Sequence, residues 1–485
     1  MIGAVERIVT GIPELDAVLR GGLIHQRVHL IEGRPGTGKT TLGLRFLIEG
    51  AAVGENCLYL TLSESEGELR ATAASHGWSL DGIGIEEMMP LSSNTTSSQT
   101  ILLPTNTELS ALVNLLADRI AASGARRVVI DSMVEVRLLA RDSAHYRRQI
   151  IDLRQRLAML DATVILLDDL TGDGREYELQ SAVHGVITLE QLERNFGAAR
   201  RRLRVVKLRG GDFQSGWHDF AIKSREILVY PSLIAEEHHR DDRALDILSN
   251  VDNLDRMMGG SLATGSSTMV LGPSGVGKST VALQYALSAV QSGCHVGYFT
   301  FDESETILRS RMLEHMRHGN DNANDADPER LFHLRRVNPS RISPGEFIWT
   351  VRRVVEDRGA CLIIIDCINA YLDVIREEKS LLLQMNELFS YLSNMNVTSI
   401  IVGAHSMRLD TSKEPDALSL ITDNIISLRY YEHENVVHKA ICVLKKRHGR
   451  HQHDVRALHL TDDGIEIGER VGVPGLQPGA SSLEF

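Results

Sequence analysis

The chain carries one short loop twice, as GRPGTGKTT at 33–41 and as GPSGVGKST at 272–280. Both fit the GxxxxGK[ST] spacing, in which backbone N–H groups of a glycine-rich turn and of the helix that follows surround phosphate oxygens. Such a loop needs a strand that delivers the chain into it and a helix that carries it away, so each copy is expected to be an α/β unit. Lys39 and Lys278 are 239 residues apart (278 minus 39), and the same offset carries further matches. GIPELDAVLRGGL at 11–23 precedes the first loop and NVDNLDRMMGGSL at 250–262 the second, which places Asp16 opposite Asp255 and Gly21 opposite Gly260. Downstream, CLYLTLSES at 57–65 matches HVGYFTFDES at 295–304 and sets Glu64 opposite Glu303 without a gap. An offset shared over so long a stretch is the mark of a duplication. Two domains are expected, 1–235 and 243–485. The charged stretch LIAEEHHRDD at 233–242 reads as a short solvated linker between them.

Each copy is long enough to bury a core of its own. With 43% hydrophobic and 24% charged residues, and no apolar run of membrane-span length, the composition excludes a membrane protein. The start, MIGAVERIVTG, has neither a basic stretch before an apolar core nor an Arg-rich amphipathic pattern, so a cytoplasmic location is expected. The five cysteines, Cys57, Cys294, Cys361, Cys367 and Cys442, show no CxxC spacing and are expected to be buried thiols. A net charge of −12 argues against a nucleic-acid coat and suits a protein partner.

RVHLIEG at 27–33 alternates apolar and polar residues as a strand does, and the helix after the loop places Leu42, Phe46 and Leu47 on one face. Lys39 and Lys278 are then expected to neutralise the outer phosphates, with Thr40 and Ser279 ligating Mg²⁺. The remaining loop contacts fall on Gly36, Thr37, Gly38 and Thr41 in copy one, and on Gly275, Val276, Gly277 and Thr280 in copy two. Two apolar strands end in an acid, RRVVIDS and CLIIIDC. Asp131 and Asp366 are therefore candidates for the Mg²⁺ shell, against the plainer reading of acids that merely end buried strands.

A third acidic position follows the loop helix, at Glu64 and at Asp302 with Glu303, where a carboxylate can orient or deprotonate the group that attacks the γ-phosphate. Copy two has adjacent acids and copy one has Ser63 opposite Asp302. Neighbours on a strand point to opposite faces, so one acid of the pair faces the phosphate, and both stay candidates. Further strands are expected at ATVILLDDL and VTSIIVGAHS, after helices near 146–160 and 379–394, and each copy is expected to finish in a hairpin. The polar stretches at 90–100 and 317–330 read as exposed loops.

Together these residues resemble the RecA-like ATPases of the KaiC type, best known from the cyanobacterial circadian clock. The LDxxLxGGL lead-in, both loops, the acid pair, IDS and IDC, KLRG at 207–210 and ITDNIISLRYYE at 421–432 carry the resemblance over nearly the whole chain. It implies two tandem RecA-like P-loop NTPase domains, each a mostly parallel sheet finished by antiparallel strands. These would stack in a hexameric double ring with ATP between neighbouring subunits. By the same resemblance the N-terminal ring hydrolyses ATP slowly and the C-terminal ring phosphorylates itself. The cations that complete a neighbour's site would be Lys207 and Arg209, flanking Leu208, and Lys445 and Arg447. In copy two His448 stands where KLRG has its glycine. The family's Ser-Thr acceptor pair maps to Ser419 and Leu420, which leaves one acceptor and no two-site phosphorylation cycle. The ending PGLQPGASSLEF provides no long tail for a KaiA-type activator, so the partner expected is a KaiB-like or another signalling protein. The Arg-rich strand RRRLR at 200–204 has the plain reading of a solvated face. His448, His451 and His453 lack a completing cysteine or carboxylate set for zinc, so contact with a neighbour's nucleotide or acidic surface is expected of them.

The expected function is thus Mg²⁺-dependent ATP hydrolysis with serine autophosphorylation in the second ring and a regulatory output. Two alternatives share the core. A recombinase-like filament on DNA would need a basic loop or an added DNA-binding module and would bind DNA in a salt-dependent way. A nucleotide-gated scaffold would assemble normally but release negligible phosphate.

Overall fold

The structure, a computed structural model, describes residues 6–88, 106–140, 142–170, 177–193, 197–240, 245–318, 328–374, 381–404, 420–461 and 464–472. Two compact units emerge, Met1–Ser232 and Leu233–Phe485.

The first unit begins with β1 (Arg7–Ile8), α1 (Pro13–Val18) and β2 (Leu23–Ile24). There follow β3 (Val28–Gly33), α2 (Lys39–Ala52), β4 (Cys57–Thr61), α3 (Glu66–Ser75), β5 (Ile83–Glu87) and α4 (Asn106–Ser123). The remainder is β6 (Arg127–Asp131), α5 (Met133–Leu138), α6 (Ser143–Leu157), β7 (Thr163–Asp169), α7 (Tyr177–Ala182), β8 (Gly185–Leu192), β9 (Arg200–Leu208), β10 (His218–Lys223) and β11 (Glu226–Tyr230). Its main sheet has the order β11-β10-β9-β8-β3-β7-β6-β4-β5. Strands β8 to β5 in that order are parallel, and β9, β10 and β11 are added antiparallel.

The second unit repeats the plan with α8 (Asp252–Met258), β12 (Ser267–Gly272), α9 (Lys278–Gln291), β13 (Val296–Thr300), α10 (Glu305–His318), α11 (Pro328–Leu331) and β14 (Phe332–Arg336). It continues with α12 (Pro344–Arg358), β15 (Leu362–Asp366), α13 (Ile368–Val374), α14 (Leu381–Asn394) and β16 (Thr398–Ala404). It closes with β17 (Asn424–His433), β18 (Val436–Lys446), β19 (Arg456–Thr461) and β20 (Gly464–Arg470). The order β14-β13-β15-β16-β12-β17-β18-β19-β20 is that of the first sheet, element for element. The mostly parallel sheet with antiparallel strands at one end is therefore the architecture of both units.

Helices on both faces give each sheet two cores. In the first unit, α2 packs Leu42, Leu44, Phe46 and Leu47 with Tyr59, Val129 and Ile165, while Leu30, Val128 and Val164 meet Val113, Ile150 and Leu153 of α4 and α6 on the other face. For this reason β3 does not alternate between core and solvent. All six of its residues are buried, including His29 and Glu32, as expected of a central parallel strand. Of this polar pair, Glu32 accepts from Gln180 at 2.6 Å and Thr188 at 2.8 Å, while His29 bonds Ile24 O at 2.9 Å through Nε2 and buries Nδ1 without a hydrogen-bond partner among the described residues.

Burial lowers the His29 pKa from 6.5 to about 4. The unfolded chain therefore binds the proton first, and stability conferred by the neutral ring is present above pH 6.5 and lost as pH falls through the window down to 4. Asp16 and Asp168, raised by burial to about 6, work in the opposite direction, so the wild-type slope alone is not diagnostic. Relative to wild type, His29→Gln should spare the first unit ~2 kcal/mol of the loss between pH 7 and pH 5. Urea denaturation at the two pH values measures this, and parallel slopes would contradict it.

Two expectations are corrected. The stretch read as a solvated linker is packed: Leu233 and Ala235 belong to the second unit's core. Ala235 N donates to Glu387, while Asn394 and Asn396 donate to Ala235 O and Arg240 O. Charges in the segment hid two apolar anchors. Cys294 and Cys361, expected as thiols, are joined as a disulfide with Cα atoms 6.1 Å apart. They stand just ahead of β13 and β15, whose first residues pair, so sheet register joins cysteines that sequence spacing separates.

Candidate functional site

In each unit the loop leaves the C-terminal end of the central strand and enters a helix through a glycine in the left-handed region, Gly38 at φ 104° and Gly277 at φ 111°. That φ favours glycine, and a Cβ at Gly38 would lie 2.6 Å from Ile222 Cδ1, whose side chain would have to turn away. The first N–H groups of α2 and α9 have no carbonyl partner within the helix and remain available to an anion. Lys39 is buried, donates to Gly33 O at 3.0 Å and Arg34 O at 3.1 Å, and is ion-paired with Asp169. Lys278 donates to Pro273 O at 2.8 Å, and burial lowers its amine pKa.

Asp131 and Asp366 end strands β6 and β15 beside these loops. Thr40 Oγ1 donates to Asp131 Oδ2 at 2.8 Å, and Ser279 bonds Asp366 in the same way. A second hydroxyl reaches each acid, from Tyr59 in one unit and Tyr298 in the other, both at 2.6 Å. Sequence reasoning missed these tyrosines, although they obey the same 239-residue offset. Burial pushes both carboxyls up, and the hydroxyl bonds pull them back. The donor set, hydroxyls with a carboxylate, is the hard-oxygen kind that Mg²⁺ takes.

The third acids lie beyond their strands. β4 ends at Thr61 and β13 at Thr300, so Glu64, Asp302 and Glu303 sit in a bend and the alternation of a strand does not divide them. Thr61 and Thr300 hold these bends by accepting from Glu64 N at 3.0 Å and Glu303 N at 3.1 Å. A different device separates the pair. Arg311 grips the Glu303 carboxylate with two bonds, 2.7 and 3.0 Å, and lies 3.5 Å from Thr280 Oγ1. Both acids and Arg311 line, with Lys278, Ser279 and Asp366, a cavity of about 450 Å³, but Asp302 has no ion pair among the described residues. The position matching Arg311 in the first unit is Thr72 (311 minus 239), and among the described residues no ion pair holds Glu64. Burial, and then the neighbouring Asp131, raise the Glu64 carboxyl.

Lys207 and Arg209 do not reach the loop of their own unit. Leu208 pairs with Gly185, and Gly185 with His29 at the start of β3, whereas the loop leaves from Gly33 at the other end. At ~3.3 Å per residue this separates them by roughly 15 Å. They bond instead to the carbonyls of Gln180 and Ser181. Lys445 and Arg447 are placed alike: Lys446 pairs with Asn424, and Asn424 with Thr268 at the start of β12. Lys445 donates to Thr422 O, and Arg447 pairs with Asp423 at 3.2 Å.

The Arg-rich strand is not simply a solvated face. Arg200 is buried on Asp219 at 2.7 and 3.1 Å, and Arg202 and Arg204 lie 4.4 and 4.7 Å from the Trp217 ring. His451 and His453 fall in the connection between β18 and β19 with their rings 4.4 Å apart. Ser419, the stretch 90–100 and most of 317–330 lie outside the described residues. No helix among the described residues is long and apolar enough to cross a membrane.

Comparison with known proteins matches this chain to the family "ATPase: KaiC" twice, over residues 8–234 and 247–472. "Circadian clock protein KaiC3" of Synechocystis sp. is 25% identical over 470 residues, covering 96% of this chain and 92% of that protein. "Circadian clock oscillator protein KaiC" of Prochlorococcus marinus is 24% identical over 475 residues, 96% and 93% of the two chains. Its namesake in Synechococcus elongatus is 24% identical over 469 residues, 96% and 89%.

Proposed function

The chain belongs to the KaiC family of ATPases, with two tandem nucleotide-binding domains, and on that premise we propose that it hydrolyses Mg·ATP at sites shared between neighbouring copies of a homohexameric double ring. The observation that carries this reading is the position of Lys207, Arg209, Lys445 and Arg447 at the end of each sheet away from its own loop. Cations so placed serve a nucleotide when a second copy presents its loop to them.

In each site the loop N–H groups and Lys39 or Lys278 bind the phosphates. Thr40 with Asp131, and Ser279 with Asp366, would hold Mg²⁺, whose charge offsets that developing on the leaving and transferred groups. Glu64 in the first domain and Asp302 in the second take the proton of the attacking group, with Glu303 held aside by Arg311. In the second domain the attacking group is water or, for self-phosphorylation, the Ser419 hydroxyl. Its oxygen bonds the γ-phosphorus, the bond to the β-γ bridging oxygen breaks, ADP leaves, and the hydroxyl proton passes to Asp302. Phosphoserine then adds charge that a neighbouring subunit or a partner can read, which makes the chain a regulatory switch. A KaiB-like or other signalling protein is the class of partner this reading assigns, and the net charge of −12 weighs against DNA.

Intact and peptide masses after incubation with Mg·ATP, beside a Ser419→Ala variant, test the autokinase reading. Added phosphate in wild type and none in the variant is expected. An unmodified chain that holds ATP would sink self-phosphorylation and leave an ATPase or, without phosphate release, a nucleotide-gated scaffold. Light scattering tests assembly, where six times 53.7 kDa is expected with ATP present.

A further inference from the structure

The two loops differ in what surrounds their lysines. In the first domain β3 and β7 pair Glu32 with Asp168 and Gly33 with Asp169. In the second, β12 and β16 pair Leu271 with Gly403 and Gly272 with Ala404 in the same register. At these four paired positions the first domain thus carries three carboxylates and the second none. Glu32 is occupied by Gln180 and Thr188, and Asp168 by Arg137 at 3.2 Å. Asp169 is the one that reaches the loop itself: it is ion-paired with Lys39, whose side chain is 8% exposed against 27% for Asp169. Ala404, its counterpart, lines the second domain's cavity beside Lys278. That position therefore faces the nucleotide in a domain where nothing charged stands on it.

Resting on the assignment of both loops to ATP, we infer that Asp169 competes with the γ-phosphate for Lys39 and so sets the first domain's discrimination between ATP and ADP. A triphosphate draws the lysine onto its outer phosphates, breaks the Lys39–Asp169 pair and brings its own negative charge against the carboxylate left behind. A diphosphate ends one phosphate earlier and lets Lys39 keep Asp169. The residue thereby penalises ATP more than ADP. The second domain, with Ala404, carries no such penalty, so the two rings respond to different ATP/ADP ratios.

The test is binding rather than turnover. The β,γ-imido analogue of ATP, and ADP, are titrated calorimetrically into the full chain carrying Lys278→Ala, which silences the second loop, with and without Asp169→Asn. The imido analogue should tighten about tenfold and ADP less than about threefold. The reciprocal variant, Ala404→Asp in a chain carrying Lys39→Ala, should weaken the analogue by a similar factor more than ADP. An unchanged ratio in both variants overturns the inference. So does weaker binding of both ligands to Asp169→Asn, because the carboxylate would then serve to orient Lys39. Failure of either nucleotide to bind the Lys278→Ala chain would instead overturn the assignment of the first loop, and the inference with it.

Discussion

Replacing Asp302 by Asn should lower phosphate release by the second domain by about 10² to 10⁴-fold, the range lost with a positioned general base, while nucleotide stays bound. Glu303→Gln should cost far less. Both acids line the cavity that holds Lys278 and Asp366, but Glu303 spends both carboxylate oxygens on Arg311, whereas Asp302 has no ion pair among the described residues. Burial raises the Asp302 carboxyl, which brings a carboxylate nearer to the strength a base needs at neutral pH. Phosphate release measured in a Glu64→Gln chain, which removes the first domain's acid, isolates the second. Breaking the clamp with Arg311→Met supplies a further arm: it frees Glu303, so part of the activity lost in Asp302→Asn should return. Equal losses from Asp302→Asn and Glu303→Gln would show that the clamp does not divide the pair.

Arg127→Met should destabilise the first domain by ~3–5 kcal/mol, the loss seen when one partner of a buried ion pair is removed. Arg127 is 1% exposed at the start of β6, where the second domain has Leu362. Its guanidinium pairs with Glu55, donates to Val9 O at 2.8 Å and Phe46 O at 3.0 Å, and lies 4.7 Å from the Phe46 ring. Methionine fills the stem's volume but leaves the Glu55 carboxylate and two carbonyls without their donor. Denaturant unfolding followed in the first domain measures the loss. Adding Glu55→Gln should recover part of it, since the Glu55 charge, left with Arg126 at 3.9 Å, is then gone. A loss under 1 kcal/mol would mean that water replaces the guanidinium.

What the chain's order of residues determined by itself was everything written locally or by repetition. The loops with Lys39 and Lys278, the acid-ended strands with Asp131 and Asp366, the closing antiparallel strands and the family all follow from spacing within a few residues and from one constant offset. Tertiary structure decided whatever depends on partners distant in sequence. The full burial of β3, the ion pair of Arg127, the union of Cys294 with Cys361 and the packing of 233–240 each depend on which strand or helix lies alongside. So does the division of labour between Asp302 and Glu303, since nothing in DES announces that Arg311, eight residues after Glu303, holds one acid and leaves the other. Asp169 is the plainest instance. In sequence it is the second acid at the end of an apolar strand. Parallel pairing with Gly33 sets it against the lysine 130 residues earlier (169 minus 39), because register in a sheet fixes neighbours without regard to their separation along the chain.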